Sequence, residues 1–176
     1  MLKNIFRILV IVITLLSSLS LLKIDKEEIN TIHINKVFKE NIIEEKPIGK
    51  IVIEKIDLNK DLYSKESNKN NIEENITILK ESTDPKEENS IIFIAAHSGT
   101  SNVSFFNRLD ELELKDEVII TYQNNDYKYV INKIEEKPKT GYISGVKENK
   151  RQLVLTTCCP KKENCQLLIN AIEKES

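Results

Sequence analysis

A chain of 176 residues, with 40% hydrophobic and 31% charged content, has room for one membrane or targeting element and one domain with a full core. Its net charge of −2 comes from Lys and Glu intermixed along the chain, with no basic patch or stripe to meet a phosphate backbone, which argues against a nucleic-acid partner. Three cysteines and two histidines leave few candidates for nucleophile, imidazole and metal ligand.

The first 22 residues, MLKNIFRILVIVITLLSSLSLL, set Lys3 and Arg7 ahead of an uncharged run from Ile8 to Leu22. The run is shorter than the roughly 20 apolar residues that span a bilayer comfortably, but Ile5 and Phe6 extend it if Arg7 snorkels to the interface. Length alone leaves a cleaved signal peptide and an uncleaved anchor open. The small residues near its end are Ser17, Ser18 and Ser20 among leucines, with no A-x-A cleavage site, which favours an anchor helix over residues 1–22. Lys3 and Arg7 then stay inside and the bulk of the chain lies outside the cytoplasm, although Lys23 and Lys26 on the other flank weaken the asymmetry. Residues 23–47 are rich in Lys, Glu and Ile without Gly, and read as a charged, part-helical stalk.

Beyond Pro47 the apolar period changes. GKIVIEKIDL carries Ile51, Ile53 and Ile56 in strand alternation with one slip, and NITIL (75–79) is a weaker strand. IIFIAAH (91–97), DEVIITY (116–122), YKYVINKI (127–134) and RQLVLTTC (151–158) are short and β-branched. QNND, between the second and third of these, is a hairpin loop. SFFNRLDEL (104–112) alone has helical spacing, at Phe105, Leu109 and Leu112. Residues 48–176 are therefore expected to form a mainly β domain, a closed or nearly closed barrel with one or two short helices.

On a strand, neighbouring side chains face opposite ways, so Cys158 and Cys159 cannot share a site. A nucleophilic thiol needs a cation or an imidazole beside it. His33 falls in the stalk, whereas His97 ends a buried-looking strand where SGTS turns, at the rim of a sheet. Against these readings stand a cysteine that only packs and a histidine that is only a satisfied polar group. Zinc is a weaker option, because the spacing lacks C-x-x-C, and a Cys159–Cys165 disulfide across a short loop is open outside the cytoplasm.

The segments also carry a family resemblance. IGKIVIEKIDLNKDLY resembles the first barrel strand and its extension, AAHSGTSNVSFFNRLDEL the catalytic-histidine segment, DEVIITYQNNDYKYVINKI the following hairpin, and LVLTTC the TLxTC nucleophile motif of the sortases, with Val154 in place of the first Thr. Sortases are membrane-anchored cysteine transpeptidases of Gram-positive surfaces; within them the resemblance is class B- or D-like, the subclass open. It implies a closed barrel of about eight strands with short helices behind an N-terminal membrane helix. It puts the nucleophile on Cys158 and the histidine on His97. The family's arginine position, on the strand CQLLINA, holds Gln166, and no arginine follows Arg151. Oxyanion stabilisation then falls to Gln166, or to Arg108, Lys161 or Lys162.

The activity implied is cleavage of an LPxTG-type sorting signal between Thr and Gly through a thioester on Cys158. The surface protein passes to an amine of the cell-wall precursor or to a pilin lysine, without a cofactor. Some members use calcium on acidic side chains, but Asp and Glu are too evenly spread here to choose ligands. The resemblance places the enzyme in the cell membrane as a single-pass protein with its catalytic domain outside. Pilus-type members often carry a second, C-terminal hydrophobic segment, and this chain stops at EKES, which favours wall anchoring over pilin polymerisation. The competing functions are a sortase-like protein that holds a sorting signal without turnover, through loss of the arginine, and an unrelated thiol hydrolase.

Overall fold

The structure is a computed structural model, and it describes residues 45–143 and 149–174. The expected anchor, His33 and nearly all of the expected stalk lie outside the described residues. Residues Glu45–Ser176 form a compact unit of their own. Among the described residues no helix is long and apolar enough to cross a membrane.

Among the described residues eight strands form one sheet: β1 Gly49–Ile53, β2 Leu58–Leu62, β3 Thr77–Ile78, β4 Ile91–Ala95, β5 Glu117–Tyr122, β6 Asn125–Pro138, β7 Gln152–Cys158 and β8 Cys165–Glu173. Their order is β2-β1-β5-β6-β8-β7-β4-β3. Every neighbouring pair is antiparallel except β4 with β7. The strand count matches the expectation, but closure is incomplete, since β2 and β3 end the order without pairing to each other. The open edge of β3 is covered by a side chain instead. Asn70 Oδ1 accepts the N–H of Ile78 at 2.7 Å and its Nδ2 donates to the same residue's carbonyl at 2.9 Å, which satisfies backbone groups that an edge leaves open.

Local departures from the sequence reading have local causes. GKIVIEKIDL is not one strand with a slip: a 3-10 turn over Glu54–Ile56 and a left-handed Asp57 (φ 54°) fold it into the β1–β2 hairpin. The β5–β6 loop is shorter than expected, with Gln123 and Asn124 at positive φ and β6 starting at Asn125, a two-residue hairpin turn. The segment 104–112 holds no α-helix, only turns and a 3-10 turn at Leu109–Glu111. Its buried apolar residues are Phe106, Leu109 and Leu112, a spacing of three that suits i to i+3 hydrogen bonds rather than a 3.6-residue period.

Strand pleat sorts the side chains into two faces. Ile92, Ile94 and Ala96, Leu153 and Leu155, and Leu167, Ile169 and Ala171 join the barrel core with Ile51, Ile120, Tyr129 and Phe106. Phe93, Val154 and Leu168 form a separate cluster on the other face of β4, β7 and β8, with Ile143 packed against it. β7 is buried along both faces from Gln152 to Thr157, as expected for a central strand.

Candidate active site

The parallel pair β4–β7 runs in register from Ile91↔Gln152 to Ala95↔Thr156. It is prolonged by the N–H of Ala96 to Thr156 O at 3.3 Å, Thr157 Oγ1 to Ala96 O at 2.8 Å and Ser98 Oγ to Cys158 O at 2.8 Å. The same register, carried two residues past Ala95↔Thr156 where β4 ends, sets His97 level with Cys158. On the other side of β7, the antiparallel pairing with β8 sets Cys158 opposite Gln166. Alternation assigns all three to the outer face: Cys158 follows Val154 by four residues, His97 follows Phe93 by four, and Gln166 precedes Leu168 by two, the three apolar residues being those of the outer cluster. Cys158 and Gln166 thus sit opposite each other on β7 and β8, and His97 lies two residues past the end of β4, the strand on the other side of β7, a grouping that the sequence order alone does not reveal.

The cysteines divide as the pleat requires. Cys159 turns inward, is 8% exposed within the core, and is disulfide-bonded to Cys165. Cys158 is the free thiol. Glu136 lies near the two bonded sulfurs, but sulfurs joined to each other are not thiolate ligands, so the group offers no zinc chemistry in this state.

Gln166 Nε2 donates to Thr156 Oγ1 at 2.8 Å, and the Thr156 hydroxyl donates in turn to Leu167 O at 3.1 Å. The amide is thereby fixed on the outer face with one of its two N–H groups committed. Two of the three basic candidates, Arg108 and Lys162, are held elsewhere. Arg108 donates to both carboxylate oxygens of Glu111 and to Asp57, which strengthens its hold on its proton, and Lys162 pairs with Glu136. His97 Nε2 lies 3.7 Å from Glu73 Oε2, an ion pair when the imidazole is protonated.

One residue escaped the sequence reading. Lys139 Nζ donates to Cys158 Sγ at 3.3 Å. β6 was expected to end at residue 134 but continues to Pro138, which pairs with Cys165, and this overhang carries Lys139 to the thiol. Its exposed segment EEKPK has no apolar pattern that could have marked it. A separate cavity of about 200 Å³, with Ile78, Ile92 and Ile120 among its apolar lining and Lys65, Glu66 and Asp84 among its polar lining, sits at the start of β4. His97 and Cys158 are at the opposite end of their strands, so the cavity is not part of this site.

No curated protein sequence matches the chain. Among solved structures it is similar to sortase C1 from Streptococcus agalactiae, at 26% identity and a TM-score of 0.65 over 77% of this chain and 71% of that one. It is also similar to a lid mutant of sortase A from Corynebacterium diphtheriae, at 24% identity and a TM-score of 0.63 over 77% and 74%. A third is sortase C from Streptococcus pneumoniae, at 21% identity and a TM-score of 0.64 over 74% and 67%, a structure described as informative on catalysis and pilin substrate specificity. The expected class B or D character has no counterpart in these names. The Sortase domain family matches residues 51–172, nearly the whole barrel, and the chain belongs to the sortases, a family of cysteine transpeptidases.

Proposed function

We propose that the protein cleaves an LPxTG-type sorting signal between Thr and Gly and transfers the released surface protein to an amine of the cell wall. The observation that carries this reading is the free thiol of Cys158 opposite the amide of Gln166 on β7 and β8, with His97 just past the end of the adjacent β4. The Cys158 thiolate attacks the Thr carbonyl carbon, and the carbonyl electron pair moves to oxygen. Gln166 presents its second N–H toward that oxygen. Collapse breaks the C–N bond, the Gly amine leaves with a proton from His97, and a thioester remains on Cys158. The acceptor amine then attacks the thioester and gives a proton to His97. No cofactor enters these steps.

The test is intact-mass spectrometry of the protein with a peptide containing Leu-Pro-x-Thr-Gly, with and without an acceptor amine. A thioester on Cys158 that turns over into an amide when amine is added supports the reading; products indifferent to amine would identify a hydrolase. Wall-derived amines and a lysine-bearing pilin peptide, supplied in competition, separate wall anchoring from pilin polymerisation. A second reading, a protein that binds a sorting signal without turnover, is favoured by the commitment of Gln166 to Thr156; it predicts peptide binding with no thioester.

The proposed location is the cell membrane, with residues 1–22 as a single-pass anchor and the barrel outside. Full-length protein should then stay in the membrane pellet after alkaline carbonate extraction. Recovery from the medium with its N-terminus trimmed after Ser20 would refute the anchor.

A further inference from the structure

A positive charge at the reacting sulfur comes from a residue outside the three already discussed. The backbone leading into Lys139 is held at two points: Pro138 before it pairs with Cys165, and its own N–H bonds to Asn164 O at 2.8 Å. It is thus tied to the turn between β7 and β8, with its Nζ on Cys158 Sγ at 3.3 Å. Arg108 and Lys162 are engaged by carboxylates elsewhere, and Gln166 is uncharged and bonded to Thr156.

We infer that Lys139 is a further catalytic residue, an ammonium that holds the Cys158 thiolate and then the oxyanion of acyl transfer. The inference rests on the transpeptidase reading above. When the C–S bond forms, negative charge leaves sulfur for an oxygen bonded to the same carbon, so the two anionic atoms are separated by one bond angle. A cation in contact with the first reaches the second by rotation of its terminal bonds. An ammonium on a flexible four-carbon stem, with rotatable donors, suits that transfer of contact. Lys139 keeps its proton throughout; the proton that leaves with the amine comes from His97, and the electron pair on oxygen returns to the carbonyl as the C–N bond breaks.

The test uses the full-length chain in detergent, with Lys139→Met and Lys139→Arg, and two readouts. The first needs no sorting signal: Cys158 is alkylated with iodoacetate, an anion, and with neutral iodoacetamide. A unit charge at contact distance in water favours the anionic reagent by roughly fivefold. The iodoacetate to iodoacetamide rate ratio should fall by about that factor in Lys139→Met and persist in Lys139→Arg. An unchanged ratio in Lys139→Met overturns the contact. The second readout is acyl-enzyme formation with a fluorogenic Leu-Pro-x-Thr-Gly peptide, expected to slow about a hundredfold in Lys139→Met and to recover in Lys139→Arg. Wild-type acylation by Lys139→Met overturns the catalytic role. If the wild-type protein leaves the peptide intact while the alkylation ratio still falls, the sorting-signal reading fails and the Lys139–Cys158 contact stands.

Discussion

Reduction of the Cys159–Cys165 disulfide should cost stability and leave the chemistry in place. The bond closes a loop with a sequence separation of 6, and in the chain-entropy account such a short closure contributes about 2 kcal/mol by restricting the unfolded state. For a domain of this size a loss of 1 kcal/mol lowers Tm by about 4 °C, so the expected fall is about 8 °C. The turn should keep its shape, because the N–H of Cys159 also bonds to Cys165 O at 3.0 Å and the β7–β8 pairing holds Cys158 opposite Gln166 without the sulfur bridge. The assay is far-UV circular dichroism melting with and without a phosphine reductant, paired with iodoacetamide labelling of Cys158 and peptide cleavage in the Cys159→Ala, Cys165→Ala double variant. A Tm unchanged on reduction would refute the stabilising role. Loss of activity in the double variant would refute the assignment of Cys158 as nucleophile and with it the argument from strand pleat.

The remaining expectations concern single side chains. Cys158→Ala should abolish transpeptidation, His97→Ala should be nearly as damaging, and the double variant should be little worse than either, because the pair acts as a unit; independent, multiplying losses in single-turnover assays would show that it does not. Gln166→Ala should slow acylation about a hundredfold to a thousandfold through loss of an oxyanion donor, and Gln166→Arg should keep or raise the rate; full activity in Gln166→Ala would remove Gln166 from the mechanism. Tyr129→Phe should stabilise the barrel by about 1 kcal/mol, seen as a higher Tm, since burial of an unpaired hydroxyl is unfavourable. The Tyr129 hydroxyl is buried without a hydrogen-bond partner, and burial pushes its pKa up; a fall in Tm would mean that the hydroxyl is satisfied in solution.

Strands β4, β5 and β7 were legible because central strands of a barrel are apolar, β-branched and short, and IIFIA, EVIITY and QLVLTTC have that composition. The helix expected at 104–112 failed for a definable reason. Two adjacent phenylalanines allow a three-residue or a four-residue apolar period, and the structure buries Phe106 with Leu109 and Leu112, leaving Phe105 at the margin of the core. β6 was read too short, because Glu135, Glu136 and Lys137 look like loop residues; their strand conformation comes from pairing with Leu168, Leu167 and Gln166 of β8, a partner distant in sequence. Of the candidate site, Cys158 and His97 were marked by position at strand ends. Lys139 was not, since its contact with Cys158 depends on the β6–β8 register rather than on any local pattern.

That register also explains how the outer face divides its polar work. Opposite Cys158, the β8 residue is a glutamine whose arm reaches the diagonal neighbour Thr156, and Thr156 can accept because its own hydroxyl hydrogen goes to Leu167 O. The chain of bonds runs along the strands and supplies neutral donors at fixed positions. Charge has to arrive from the strand beyond β8, and β6 does this by outrunning its last core residue until Lys139 stands over the sulfur. A fixed neutral donor and a mobile cation then flank the same thiol from different strands. Losing either should weaken acyl transfer without unfolding the barrel, because neither side chain belongs to the buried core.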